Sequence, residues 1–300
     1  MDGPARSKLW RWVRRAAMIF GLLAVLAVCF LSWFLHIPAL PTPPGVDFRT
    51  ETVRLTGKDV KVDLFLPAKS EGAPLVVISH GFSRNRRTMT GWGGMLAAKG
   101  FIVAALDLPA LADHERNGRA LNELLVKLRD GTLLGNTKPS ARTALVGFSA
   151  GGLWTLLAAS RDTNVVCWVG LDPVGLGRMG TRPARELQIP SFVLRAESAP
   201  WNANGNAKEI FESLPGPALS LIVKDATHVD PENPTSRAAD WACGKSAPER
   251  RQRFGRCLLA SLQAGLMNDQ SELEYLLSLT NDPAFHDVTS KRRELFSGGK

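Results

Sequence analysis

The sequence predicts an α/β fold, with a mostly parallel central sheet and helices on both faces, on three observations. Short continuous apolar runs such as Pro74-Leu75-Val76-Val77-Ile78-Ser79 and Phe101-Ile102-Val103-Ala104-Ala105-Leu106 read as strands buried on both sides. Helical runs separate them, so strand and helix alternate along the body. The pentapeptide Gly147-Phe148-Ser149-Ala150-Gly151 stands between the apolar run Ala144-Leu145-Val146 and the helical run Leu153 to Ala159. A G-x-S-x-G segment in that setting is a strained strand-to-helix turn that pushes a serine hydroxyl out over the end of a sheet. Glycines flank the serine because the turn leaves no room for a Cβ.

Residues 1–15 form a basic flank: Arg6, Lys8, Arg11, Arg14 and Arg15 stand against Asp2, out of a formal net charge of +9 for all 300 residues. Residues 16–35 are almost unbroken apolar, and a helix of that length at ~1.5 Å per residue spans ~30 Å, one hydrocarbon core. Trp10, Trp12 and Trp33 fall where interfacial aromatics belong, and the basic residues lie on the N-terminal side. Together they predict an uncleaved transmembrane signal anchor, cytoplasmic at its N-terminus, with the body on the periplasmic or extracellular face. The competing reading is a cleaved signal peptide, although the exit Trp33-Phe34-Leu35-His36 supplies no small-x-small site. A buried soluble helix ranks third. Cys29 reads as part of the span, since Val28 precedes it and more apolar residues follow. Four prolines at 38, 41, 43 and 44 make residues 36–45 a stiff spacer expected to lift the body off the membrane.

The body begins near Val46. Lys61 to Leu66 alternates like a half-exposed strand, and Thr88 to Lys99 reads as a helix before the strand at Phe101. Further strands are expected at Val165 to Leu171, Ser191 to Leu194 and Leu219 to Val223, and an amphipathic helix over Arg250 to Met267. These bound a single catalytic domain over 46–267. Residues 268–300 read as a polar tail: a short helix around Leu273 to Leu279, then loosely held residues ending Ser297-Gly298-Gly299-Lys300.

No basic stripe interleaved with aromatics occurs in the body, which argues against a nucleic-acid partner. Cys167 lies inside an apolar strand, while Cys243 and Cys257 read either as a disulfide, which an oxidising compartment permits, or as two separate thiols. Neither a Cys-x-x-Cys pair nor clustered histidines suggest zinc, and no P-loop is present, so neither metal nor cofactor is expected. Gly175-Leu176-Gly177-Arg178-Met179-Gly180 fits G-x-G-x-x-G, but that fingerprint must start a helix. Thr181-Arg182-Pro183 follows and Pro190 closes the segment, so these glycines are expected to form a loop.

A serine hydroxyl becomes a nucleophile only when a base removes its proton, and a carboxylate must orient that base. Of five histidines, His36 sits at the membrane edge, and His80 and His114 precede Ser149, against the order Ser, Asp or Glu, His that such elbows use. His286 lies in the polar tail. His228 follows the last core strand by a short loop and is the expected base. Two acids stand at strand ends in the permitted interval: Asp172, rigidly aimed by Pro173, is preferred, and Glu197 is the alternative. The oxyanion donors expected are the backbone N–H of Ala150 and that of Phe82 in Ser79-His80-Gly81-Phe82, unless His80-Gly81 is an ordinary turn.

From about Val53 to Met267 the chain resembles the α/β-hydrolase superfamily. Within it, His80-Gly81-Phe82, the elbow with its extra Gly152, Asp172-Pro173-Val174 and His228 are similar to the chlorophyllase and cutinase-like polyester hydrolases. The Asp-Pro-Val acid resembles that of plant chlorophyllases. Phe148 stands where those elbows usually carry His, and Glu197 where an aspartate is common. The resemblance implies the α/β-hydrolase fold and serine hydrolysis of carboxylic esters, of esterase or lipase type, through an acyl-enzyme. The expected partners are an ester substrate, bulky or apolar, and the membrane through the N-terminal helix. Only a short stretch, Asp172 to Ile189, occupies the usual lid position, so no large lid domain is expected, and Phe82, Trp92 and Trp201 are candidates to wall an open cleft. An acyltransferase using the same triad and a non-catalytic hydrolase-fold binding protein are the alternatives.

Overall fold

Strands apolar at every position must be covered on both faces, and the computed structural model, which describes residues 4–293 and 296, shows how this chain covers them. In chain order α1 (Pro4–Leu35) precedes β1 (Val46–Leu55), β2 (Lys58–Pro67), β3 (Leu75–Ser79), α2 (Thr90–Ala97) and β4 (Ile102–Leu106). Next come α3 (His114–Arg129), β5 (Thr143–Phe148), α4 (Ala150–Ala159), β6 (Val165–Leu171), α5 (Arg178–Glu186) and β7 (Ser191–Arg195). The chain continues through α6 (Ala207–Ser213), β8 (Ala218–Val223), α7 (Arg237–Cys243), α8 (Pro248–Met267), α9 (Gln270–Ser278) and β9 (Phe285–Lys291). The strands form one sheet in the order β1-β2-β4-β3-β5-β6-β7-β8-β9. Pairing is parallel from β4 through β8 and antiparallel at β1–β2, β2–β4 and β8–β9. The α/β-hydrolase architecture expected from the sequence is the one observed.

Two apolar cores flank the sheet. Leu121 and Leu125 of α3, Leu153 and Trp154 of α4, Ala184 of α5 and Ile210 of α6 pack on one face. On the other are Trp92 and Leu96 of α2, Phe254, Leu258 and Leu262 of α8, and Leu273 and Leu276 of α9. Helix α8 comes close to the sheet because it carries glycine there: a Cβ on Gly265 would lie 2.6 Å from Cys167 Sγ and 2.9 Å from Phe192 Cε2.

Several local expectations are corrected. The helix read over Thr88 to Lys99 is a 3₁₀ turn at Arg86–Met89 followed by α2, ending at Ala97. Segment 175–180 is not all loop, because α5 starts at Arg178 and runs through Pro183. Its glycines serve packing: Gly177 turns the chain at φ +51°, and a Cβ on Gly180 would lie 2.9 Å from Gly175 Cα. The tail is not loosely held after its short helix, since β9 pairs antiparallel with β8 and extends the sheet to Lys291; Ser297 to Lys300 lie outside the described residues. Cys243 and Cys257 are separate thiols. Cys257 is buried, and that burial raises its pKa to about 12.

Helix α1 is long and apolar enough from Trp12 to Leu35 to cross a membrane. The segment after it does not stand clear of the body. Pro43 packs on α2 so closely that a Cβ on Gly94 would meet its Cδ at 2.8 Å. Residues 36–43 instead roof a cavity of about 700 Å³ over Phe48, Phe65 and Met95.

Gly265→Ala tests the helix–sheet contact. Alanine favours a helix by ~1 kcal/mol, but the added methyl meets buried neighbours, so a net loss of ~1–2 kcal/mol is expected from urea denaturation. A gain in stability would refute the close approach.

Candidate active site

The elbow is built by glycines that nothing larger could replace. Ser149 sits at φ +53° between β5 and α4, a strained backbone for a non-glycine residue. A Cβ on Gly147 would lie 2.3 Å from the Gly151 carbonyl oxygen, and one on Gly151 would lie 2.4 Å from that of His80. The Ser149 amide donates to Leu171 O at 3.1 Å, and Val174 N donates to Ser149 O at 2.9 Å, which ties the elbow to β6 and the loop after it.

Asp172 leaves β6 at φ +42°. Pro173 behind it is wedged between two glycines: a Cβ on Gly152 would lie 2.4 Å from Pro173 Cβ, and one on Gly170 2.6 Å from its Cγ. The Asp172 carboxylate is 1% exposed and fully used. Its Oδ1 accepts from Ala196 N at 3.1 Å, and Oδ2 accepts from Asn202 Nδ2 at 3.0 Å and from His228 Nδ1 at 2.6 Å. A carboxylate only accepts, so Nδ1 holds the imidazole proton and Nε2 presents a lone pair. That lone pair lies 2.9 Å from Ser149 Oγ, within proton-transfer reach. Phe148 packs against the His228 ring, tilted by 35° at 5.0 Å between centroids, and steadies it from the side.

Glu197, the alternative acid, makes no hydrogen bond to His228 among the described residues. Its Oε1 accepts from Asp225 N at 3.1 Å and lies 2.9 Å from His286 Nε2 on β9. Phe82 and Ala150 both border Ser149. Gly81 is so close that its Cβ would lie 3.0 Å from Ser149 Cβ, and Ala150 is the first residue of α4. Among the described residues neither amide donates to a backbone carbonyl, so both remain available to a ligand. Of the three aromatics considered as cleft walls, Phe82 and Trp201 are exposed, but Trp92 is not. Its indole is buried under α8 and donates to Pro231 O at 2.6 Å, so Trp92 belongs to the core.

Buried ion pairs hold the loops that carry these groups. Arg84 forks onto Glu232 at 2.6 and 3.1 Å, joining the Phe82 loop to the stretch after His228. Arg86 joins Asp63 at 2.8 Å and Asp107 at 2.7 Å. Asp230 accepts from Thr227 N at 2.6 Å and Arg250 Nε at 2.7 Å, closing the His228 turn. Burial pushes the Glu232 carboxyl above its usual range, against the pull of Arg84. His80 lies beneath the elbow with Nδ1 donating to Gly81 O at 2.8 Å and Nε2 without a partner among the described residues. Burial holds this imidazole below its ordinary value of 6.5. Asn202, Asp230 and Glu232 escaped the sequence reading, because nothing in a lone Asn or Asp in a loop separates a buried brace from a solvated turn.

A sequence model of PET hydrolase-like proteins matches residues 55–242. The chain is similar to a cutinase (est2) of Thermobifida alba, 25% identical over 217 residues, covering 70% of this chain and 71% of the relative. It is likewise similar to a bis(hydroxyethyl) terephthalate hydrolase of Streptomyces coelicolor, 26% identical over 69% of this chain and 67% of the relative. A cutinase of Thermobifida fusca is 24% identical over 70% of this chain and 71% of the relative. The matched span runs from the end of β1 into α7 and takes in Ser149, Asp172 and His228: this chain belongs to the PET hydrolase-like family and is a carboxylic ester hydrolase.

Proposed function

We propose that the protein is a membrane-anchored serine esterase in which Ser149, His228 and Asp172 form the triad. The observation that carries the reading is the continuous hydrogen-bonded chain from Asp172 Oδ2 through His228 to Ser149 Oγ, at 2.6 and 2.9 Å. Ser149 Oγ attacks the ester carbonyl carbon while its proton passes to His228 Nε2. The carbonyl oxygen becomes an oxyanion held by the N–H groups of Phe82 and Ala150. Collapse breaks the bond to the alcohol oxygen, which leaves with the proton from Nε2. Water, deprotonated by the same nitrogen, then releases the acid and restores Ser149. Asp172 keeps His228 in the competent tautomer and stabilises its cation.

Phe82 follows Gly81, which adjoins Ser149, and Trp201 precedes Asn202, which donates to Asp172; both aromatics are exposed and suit apolar or aromatic esters. Cutinase and bis(hydroxyethyl) terephthalate hydrolase relatives support polyester fragments and short aryl diesters as substrates. Residues 46–291 would act as one catalytic unit, held by α1 outside the cytoplasm.

A fluorophosphonate probe should label Ser149 and fail on Ser149→Ala, whose kcat should fall by at least about 10⁴-fold. Unchanged turnover in that variant would end the proposal. Asp172→Asn should cost about 10⁴-fold in kcat, while Glu197→Gln stays within about threefold; the reverse order would move the acid to Glu197. Asn202→Ala removes one charge-assisted bond of about 1.5–3 kcal/mol, so a 10- to 100-fold fall in kcat with KM unchanged is expected.

His80 adds a pH dependence of stability. Its folded pKa lies below the unfolded value near 6.5, so the unfolded chain takes up the proton first and stability is lost as pH falls below that value. The slope is at most about 1.4 kcal/mol per pH unit. Urea midpoints at pH 7.5 and 5.5 should fall less in His80→Gln than in the wild type, and equal losses would exclude His80 as the source.

A further inference from the structure

Large apolar side chains left in water mark a surface that something covers. In the body of this protein most of them follow strands that end at the carboxyl edge of the sheet, the edge that carries Ser149. Phe82 follows β3, Leu111 follows β4, Leu176 and Met179 follow β6, Trp201 follows β7, and Trp241 lies on α7 after β8. Trp241 is 80% exposed. Among the described residues, the other exposed large apolar side chains of the body are scattered singly over the linker, β1, α3 and α8.

The end of α1 meets the body at this same edge. From Trp12 to Trp33 every residue of α1 is exposed, and contact with the body begins at Trp33. There Arg237 of α7 lies over the Trp33 ring at 4.3 Å and donates to Trp33 O at 3.3 Å. Phe34 meets Trp241 edge-on at 6.2 Å. Helix α7 itself adjoins the His228 loop, since a Cβ on Gly244 would lie 2.8 Å from Thr227 Cγ2. The linker then runs back to Val46, which pairs with Pro67 at the opposite, amino edge. It straps the body instead of raising it.

We propose that the rim around Ser149 lies on the bilayer that α1 crosses, so that the enzyme takes its substrates from the lipid surface, as amphiphilic esters partitioned into the outer leaflet. The inference rests on the anchored esterase reading given above. Trp33 and Phe34 occupy the last turn of the span, so the side chains touching them sit at headgroup depth. Tryptophan is favoured there, and a cation such as Arg237 meets lipid phosphates. Trp241 therefore serves as a second point of contact that fixes the tilt of the body, and the exposed rim next to His228 faces the acyl boundary.

The full chain reconstituted into phosphatidylcholine vesicles provides the test. An NBD fluorophore is attached at position 241 through Trp241→Cys, with Cys29→Ala and Cys243→Ala, and in a control at Glu71→Cys on the amino edge. Lipid brominated in its acyl chains should quench the label at 241 and spare that at 71. In parallel, Trp241→Ser should lower hydrolysis of a long-chain p-nitrophenyl ester dissolved in the vesicles by at least about threefold, and leave p-nitrophenyl acetate in water unchanged. Equal quenching at the two positions, or no loss in Trp241→Ser on the vesicle-borne ester, would overturn the proposal, as would a chain that fails to float with the vesicles. Wild-type protein that hydrolyses neither ester would overturn the esterase reading instead, and the quenching pattern would still decide where the rim lies.

Discussion

The carboxylate of Asp172 ties together more of this molecule than any other group at the carboxyl edge. It stands at the end of β6, accepts from the backbone just after β7 through Ala196, from the next turn through Asn202, and from the loop after β8 through His228. Three consecutive strand exits are thus referred to one buried charge. Leaving such a charge without partners would cost several kcal/mol, so the surrounding donors and the carboxylate constrain one another. The position of the His228 ring over Ser149 follows from that constraint together with the packing of Phe148 against it.

Around this centre, rigidity comes from buried ion pairs rather than from apolar contact alone. Glu232, Asp230 and Asp63 are almost fully buried, and each is answered by an arginine from a different part of the chain. Against an apolar replacement such pairs add little net stability, but removing one partner strands the other, at ~3–5 kcal/mol. Loops held this way have one low-energy arrangement. Preorganised donors are what an oxyanion site needs, because dipoles that must reorient during the reaction return much of their benefit.

Much of this was legible in the sequence because the signals are local. The apolar runs marked β3 to β8, and the glycines around Ser149 marked the elbow, since each reflects a steric demand within a few residues. Strand-end placement singled out Asp172 and Glu197 and favoured Asp172, but Asn202 and Ala196, which donate to the Asp172 carboxylate, are distant from it in sequence and left no signal there. Helix α5 was hidden by Pro183, whose missing amide matters less in so short a helix than in a long one. Strand β9 was hidden by its composition: Phe285-His286-Asp287-Val288-Thr289-Ser290-Lys291 lies at an edge, half in water, and only its pairing with β8 reveals it. The linker misled because proline stiffness says that a segment is extended and not what it lies against.

Both margins of the sheet end in antiparallel strands rich in charge. Asp47, Arg49 and Glu51 punctuate β1, and Asp287 of β9 is paired with Arg195. Exposed strand margins invite a neighbouring copy to continue the ladder, and ionic side chains oppose that. These charged selvedges therefore keep copies of the protein from adding strand to strand when they crowd together.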